Sequence, residues 1–143
     1  MKKRIFIEAI SFISIILFLY TAINKLADYS VFREQIALSP ILEPFAGIVA
    51  WLLPLLELVT ATLLFFPKWR LHGLYAACSL MVIFSVYISA LFMVDDQLPC
   101  SCGGIIDLLS WKQHLILNIG LAFLQAIGIK FLRQIQQTPQ LSY

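Results

Sequence analysis

Charge is scarce in this sequence. Of its 143 residues only 13% are Asp, Glu, Lys or Arg, about half the share found in a soluble globular domain. That shortage excludes a water-soluble fold, and a net charge of only +2 gives no electrostatic grip on nucleic acid. Histidine occurs twice and cysteine three times. There is no glycine-rich phosphate loop, no Ser-His-Asp set and no haem-attachment motif, which sets aside nucleotide-phosphate chemistry, serine-type acyl transfer and covalently held haem.

What is there is apolar: 61% of the residues are hydrophobic, and the mean hydropathy is +0.90. A bilayer core of about 30 Å needs about 20 helical residues to cross. Four runs reach or approach that length: Ile5 to Ile23, Leu42 to Phe66, Leu71 to Val94 and Leu115 to Leu132. The pattern predicts an all-α, integral membrane four-helix transmembrane bundle, with residues 1–143 forming one domain in the lipid bilayer. The first run follows Lys2-Lys3-Arg4, as a secretory signal would. It is longer than such a signal needs and no small-residue cleavage site follows it, so it is expected to be retained.

Basic residues set the expected orientation. With the N-terminus cytoplasmic, the inner side holds Lys2, Lys3, Arg4, Lys68, Arg70, Lys130 and Arg133, against Lys25, Arg33 and Lys112 outside. The acids agree, since Asp28, Glu34, Glu43, Asp95, Asp96 and Asp107 all fall in outer segments. Both termini are therefore expected in the cytoplasm, and the location expected is a bacterial inner membrane. Residues of about 95–112 then form a loop facing the oxidising exterior. Within the spans, Gly73, Ala77, Met81, Ser85 and Ser89 recur every four residues, as do Asn118, Ala122 and Ala126. Small residues at that spacing let helices approach closely in lipid. The stretch from Ala27 to Pro40 is polar enough for a surface loop or an interfacial helix.

The outer loop carries the densest chemistry, Pro99-Cys100-Ser101-Cys102-Gly103-Gly104. A disulfide across one intervening residue closes a tight, strained ring, and a strained bond is easily reduced and suited to exchange with a partner's thiols. The competing reading is a structural bridge. Two thiolates also suit copper(I) or zinc, but only His114, Asp95, Asp96 and Asp107 are close enough in sequence to complete a ligand set, so no metal is expected.

Glu57 is the carboxyl nearest the middle of a span, three residues after Pro54, whose ring frees the carbonyl of Ala50. A charge near the bilayer centre costs about 2.5 kcal/mol or more, so Glu57 is expected either to be protonated and bonded to a neighbouring helix or to serve as a proton or carrier site. Lys25 is the candidate partner, although helical rise puts Glu57 up to about 20 Å below the outer surface and contact would require Lys25 to sit deep. His114, beside the cysteine loop, is expected either to assist a thiolate or proton transfer or to sit at the interface. Glu8 near the inner boundary is structural, Cys78 is a small hydrophobe remote from the loop, and His72 belongs to the opposite side. Trp51, Trp69 and Trp111 suit interface anchoring or packing.

Thr21-Ala22-Ile23-Asn24-Lys25-Leu26, Leu53-Pro54-Leu55-Leu56-Glu57 and Pro99-Cys100-Ser101-Cys102-Gly103-Gly104, in this order, resemble the MauE branch of the DoxX-like membrane proteins. Members commonly carry Cys-Gly-Cys-Phe-Gly at the cysteine pair, so Ser101 and Gly103 depart from the pattern. The resemblance implies a four-helix membrane protein of extracytoplasmic redox, tied to maturation of a disulfide-rich secreted subunit. The function expected is thiol–disulfide exchange through Cys100 and Cys102 with a periplasmic thioredoxin-like protein or a secreted substrate, electrons passing to or from a carrier such as quinone. Alternatives are a non-enzymatic assembly factor or scaffold, a small transporter built around Glu57, and a metal-binding accessory subunit.

Overall fold

The computed structural model describes residues 1–94 and 110–138. Among them every regular element is helical: α1 (Lys2–Ala27), α2 (Tyr29–Ala37), a 3-10 turn (Glu43–Phe45), α3 (Ala46–Phe65), α4 (Arg70–Val94) and α5 (Trp111–Gln137). α1, the 3-10 turn with α3, α4 and α5 are long and apolar enough to cross a membrane, so the all-α four-span expectation holds. α1 and α5 overrun their apolar stretches because charged residues at their ends stay helical, α1 extending through both Lys2 and Lys25, whereas α3 begins at Ala46, after the 3-10 turn, and lies inside Leu42 to Phe66.

The spans form a ring in which α1 packs on α3 and α5, α4 packs on α3 and α5, and α1 and α4 barely touch. The outward faces are apolar. Phe12, Ile16, Ile48, Leu55, Val86, Ile116 and Phe123 are all exposed, an arrangement that hydrocarbon tolerates and water does not. Ser79, Ser85 and Ser89 return their hydroxyls to the carbonyls four residues earlier, which satisfies them within the helix.

α1 and α5 run antiparallel in a fixed register. Phe6 meets Phe131 edge-on at 5.7 Å between ring centroids, Ile10 faces Gly128, and Gln125 donates to Ser14 at 3.0 Å. α3 stops where Phe66, extended at ψ 118°, precedes Pro67, because a residue before proline is pushed out of the helical region. The chain turns through Trp69, whose N–H donates to the Phe66 carbonyl. α4 then returns so close to α3 that a Cβ on Gly73 would lie 2.7 Å from the backbone nitrogen of Leu64. Only glycine fits there.

The four-residue stripe on α4 holds for only part of its length. Gly73, Ala77 and Met81 are buried, Ser85 is half-buried and Ser89 is exposed. Four residues advance a helix by about 400°, so the stripe drifts off the interface. On α5 the buried face is Asn118, Leu121, Gln125 and Gly128, while Ala126 is exposed; alternating steps of three and four follow the helical period.

The stretch after α1 resolves into α2, which buries Phe32 and Ile36 against Ala46 and Ala50 of α3. Tyr29 lies against Trp51 at 5.4 Å. Tyr87 of α4 donates to Ser39 at 2.8 Å, joining the segment after α2 to the far side of the bundle. This end of the bundle is roofed. The other half holds an apolar core that includes Ile7, Ile10, Phe18, Leu64, Leu74, Leu80 and Leu121, with Ser11, Ser14 and Gln125 also buried.

Candidate functional site

Beneath the roof, Lys25 of α1 and Glu57 of α3 form a salt bridge. Both lie on the inward stripes of their helices, which on α1 runs through Ser14, Phe18, Thr21 and Lys25 and on α3 through Ala50, Pro54, Glu57 and Ala61. Only 6% of the Lys25 side chain and 1% of Glu57 are exposed. Lys25 sits deep because α2 folds back over the end of α1, so the last turn of α1 is interior and its end is not the surface of the protein. Its ammonium also lies 5.6 Å from the ring centres of Phe32 and Phe84, within the range of a cation–π attraction. Removing two charges from water costs several kcal/mol each unless they are paired and further bonded.

The pair faces a cavity of about 330 Å³ between the helices and the roof. Its walls are mostly apolar, including Phe18, Phe32, Leu53, Phe84 and Ile88, with Thr21, Ser39, Tyr87, His114 and Asn118 supplying polar atoms. Three buried polar atoms on this lining reach no hydrogen-bond partner among the described residues: Oε2 of Glu57, Nδ1 of His114 and Nδ2 of Asn118. Each such orphan costs about 1–3 kcal/mol, and native interiors hold few of them. Three on one lining, a donor on Asn118, an acceptor on Glu57 and an imidazole nitrogen able to be either, are the polar groups that a ligand there could use.

α5 places two of the three. Its start is fixed by a capping box, in which Gln113 N–H donates to Ser110 Oγ at 3.4 Å and Ser110 N–H donates to the Gln113 side chain at 3.0 Å. His114 follows directly and Asn118 one turn later, on the same inward face. Neither capping residue was read from the sequence, although Ser110-x-x-Gln113 before an apolar run is the signal that would have found the cap. Asn118 offered no such signal, since a carboxamide in a row of small residues reads as packing.

The structure thus brings together Lys25, Glu57 and His114. Cys100 and Cys102 lie outside the described residues, as do Asp95, Asp96 and Asp107. Cys78 is a free thiol that donates to the Ala122 carbonyl at 3.6 Å across the α4–α5 seam. Glu8 and His72 are exposed on their helices. Among the described residues, no three His, Cys, Asp or Glu side chains gather as a metal site.

Four apolar spans around a roofed, mostly apolar cavity define a multi-pass α-helical membrane protein. Residues 3–131 match the family model described as methylamine utilisation protein MauE, and the chain belongs to the MauE family, membrane proteins tied by that description to methylamine utilisation. No curated protein and no solved structure matches the chain.

Proposed function

We propose that this protein is a thiol–disulfide exchange protein of a bacterial inner membrane. Cys100 and Cys102 trade electrons with a periplasmic thioredoxin-like protein or a secreted protein undergoing maturation. The observation that carries this reading is the pair of thiols one residue apart on the segment that joins α4 to α5. Both flanking helices contribute to the cavity, through Leu91 and His114. Strain across so short a ring favours exchange over permanent stapling. MauE membership and the resemblance to DoxX-like proteins support a redox role in secreted-protein maturation. The reading involves no handling of methylamine.

In this reading residues 1–143 are one transmembrane domain with both termini in the cytoplasm. Lys2, Lys3, Arg4, Lys68, Arg70, Lys130 and Arg133 cluster at the end of the bundle opposite α2, which supports that orientation. The α2 end, with the cysteine segment, then faces the periplasm.

The test is the reduction potential of the pair in detergent-purified protein, read by mass-shifting alkylation of free thiols across a series of dithiol buffers. A midpoint of roughly −120 to −270 mV, the range of exchange proteins, is expected, with all exchange lost in Cys100→Ser/Cys102→Ser. A pair that stays oxidised below about −300 mV would assign the cysteines a structural role.

A further inference from the structure

We propose that the cavity beside Lys25 and Glu57 binds the head group of a membrane-dissolved quinone, an inference that rests on the thiol-exchange reading for its redox partner. Three features of the cavity select this ligand class. First, its lining includes Ile83 of α4 and Leu117 of α5, which are 59% and 39% exposed on the apolar faces of the spans, besides Leu38 after α2 at 68%. Exposure of Ile83 and Leu117 on span faces would let a ligand enter from the acyl chains and keep a hydrocarbon tail outside. Second, about 330 Å³ lies at the lower end of the range for small-molecule sites and suits a substituted ring rather than a whole lipid.

Third, the polar atoms are mixed and the fixed charges cancel. Lys25 and Glu57 neutralise each other, so no net positive charge is left to hold a phosphate. A quinone oxygen accepts hydrogen bonds, and Nδ2 of Asn118, a residue on the lining, is an unused donor. The same oxygen as a hydroquinone hydroxyl donates, and Oε2 of Glu57 is an unused acceptor. The orphan Nδ1 of His114 serves either state according to which ring nitrogen carries the proton. A ligand that alternates between accepting and donating satisfies all three orphans across its cycle.

The redox step balances. Closing a disulfide between Cys100 and Cys102 breaks two S–H bonds, forms one S–S bond and releases two electrons and two protons. Reducing the quinone to hydroquinone consumes two electrons and forms two O–H bonds with those protons. Glu57, its partner Lys25 and His114 are titratable side chains on the lining, and Glu57 and His114 would hold and pass the protons.

The experiment uses the full chain in detergent with decylubiquinone as probe. Binding is measured by equilibrium dialysis, and hydroquinone formation by the absorbance change after anaerobic addition to the reduced protein. We expect saturable binding by the wild type and by Cys100→Ser/Cys102→Ser, with hydroquinone formed only by the wild type. Asn118→Leu should weaken binding roughly tenfold, the scale of one buried hydrogen bond. Leu117→Trp, which crowds the opening from the lipid side without touching a polar group, should do the same if Asn118→Leu fails to fold. Wild-type protein that binds no decylubiquinone, or holds a phospholipid that the probe does not displace, overturns the quinone site. Thiol exchange that persists in that event leaves the cysteine reading standing. Binding with no hydroquinone formed, together with inert thiols, overturns the cysteine reading alone.

Discussion

Lys25 and Glu57, 32 residues apart in sequence, are joined in a salt bridge inside the bundle, with almost none of either side chain exposed. The carboxylate gives one oxygen to the ammonium and leaves the other with no partner among the described residues. The salt bridge therefore satisfies only half of the carboxylate.

Removing one member strands the other. Glu57→Leu and Lys25→Met are each expected to destabilise the protein by about 3–5 kcal/mol, because a buried charge is left uncompensated. The double variant Lys25→Met/Glu57→Leu should recover most of that loss. Thermal unfolding in detergent, arranged as a double-mutant cycle, measures it; equal losses in singles and double would mean that the charges do not interact.

The α3–α4 contact tolerates nothing beyond glycine. Gly73→Ala puts a methyl 2.7 Å from the Leu64 backbone nitrogen, where only movement of the helices relieves the clash. The expected cost is about 1–3 kcal/mol. Gly47 and Gly120 have open space around them, and their alanine variants should melt at or slightly above the wild-type temperature. A Gly73→Ala protein as stable as these controls would refute the close approach.

Gln125 is fully buried and uses its amide nitrogen on Ser14. Ser14→Ala should lower stability by about 0.6–2 kcal/mol, the span measured for hydrogen bonds between membrane helices. Ser14→Ala/Gln125→Leu should cost less than the two single changes added together, since an apolar pair leaves no orphan. Denaturation of the four proteins in mixed micelles gives the coupling directly.

The Ser110–Gln113 cap holds the first turn of α5. Ser110→Ala should cost about 1 kcal/mol and raise hydrogen–deuterium exchange at the amides of Gln113 and His114. Unchanged exchange there would show that tertiary packing alone fixes the turn.

Apolar run length identified the four spans because hydrocarbon imposes one length on all of them. The boundaries were harder. Lys25 ends an apolar run yet lies inside α1, and a lysine beneath a roof looks the same in sequence as one at a surface. The depth of the Lys25–Glu57 contact depends on α2 folding over the bundle, and the alternation within Tyr29–Ala37 points to a helix without saying where it docks. Glu57 and His114 were visible as polar exceptions in apolar surroundings. Asn118 and the Gln125–Ser14 bond were hidden because their meaning comes from the α1–α5 register, which only the packed bundle defines.

Phe18 lines the cavity and also belongs to the apolar core cluster of the opposite half, which includes Leu121. If the proposed site carries protons, that apolar core is the costlier way out for them, and turnover should then run at the same rate in energised and de-energised membranes.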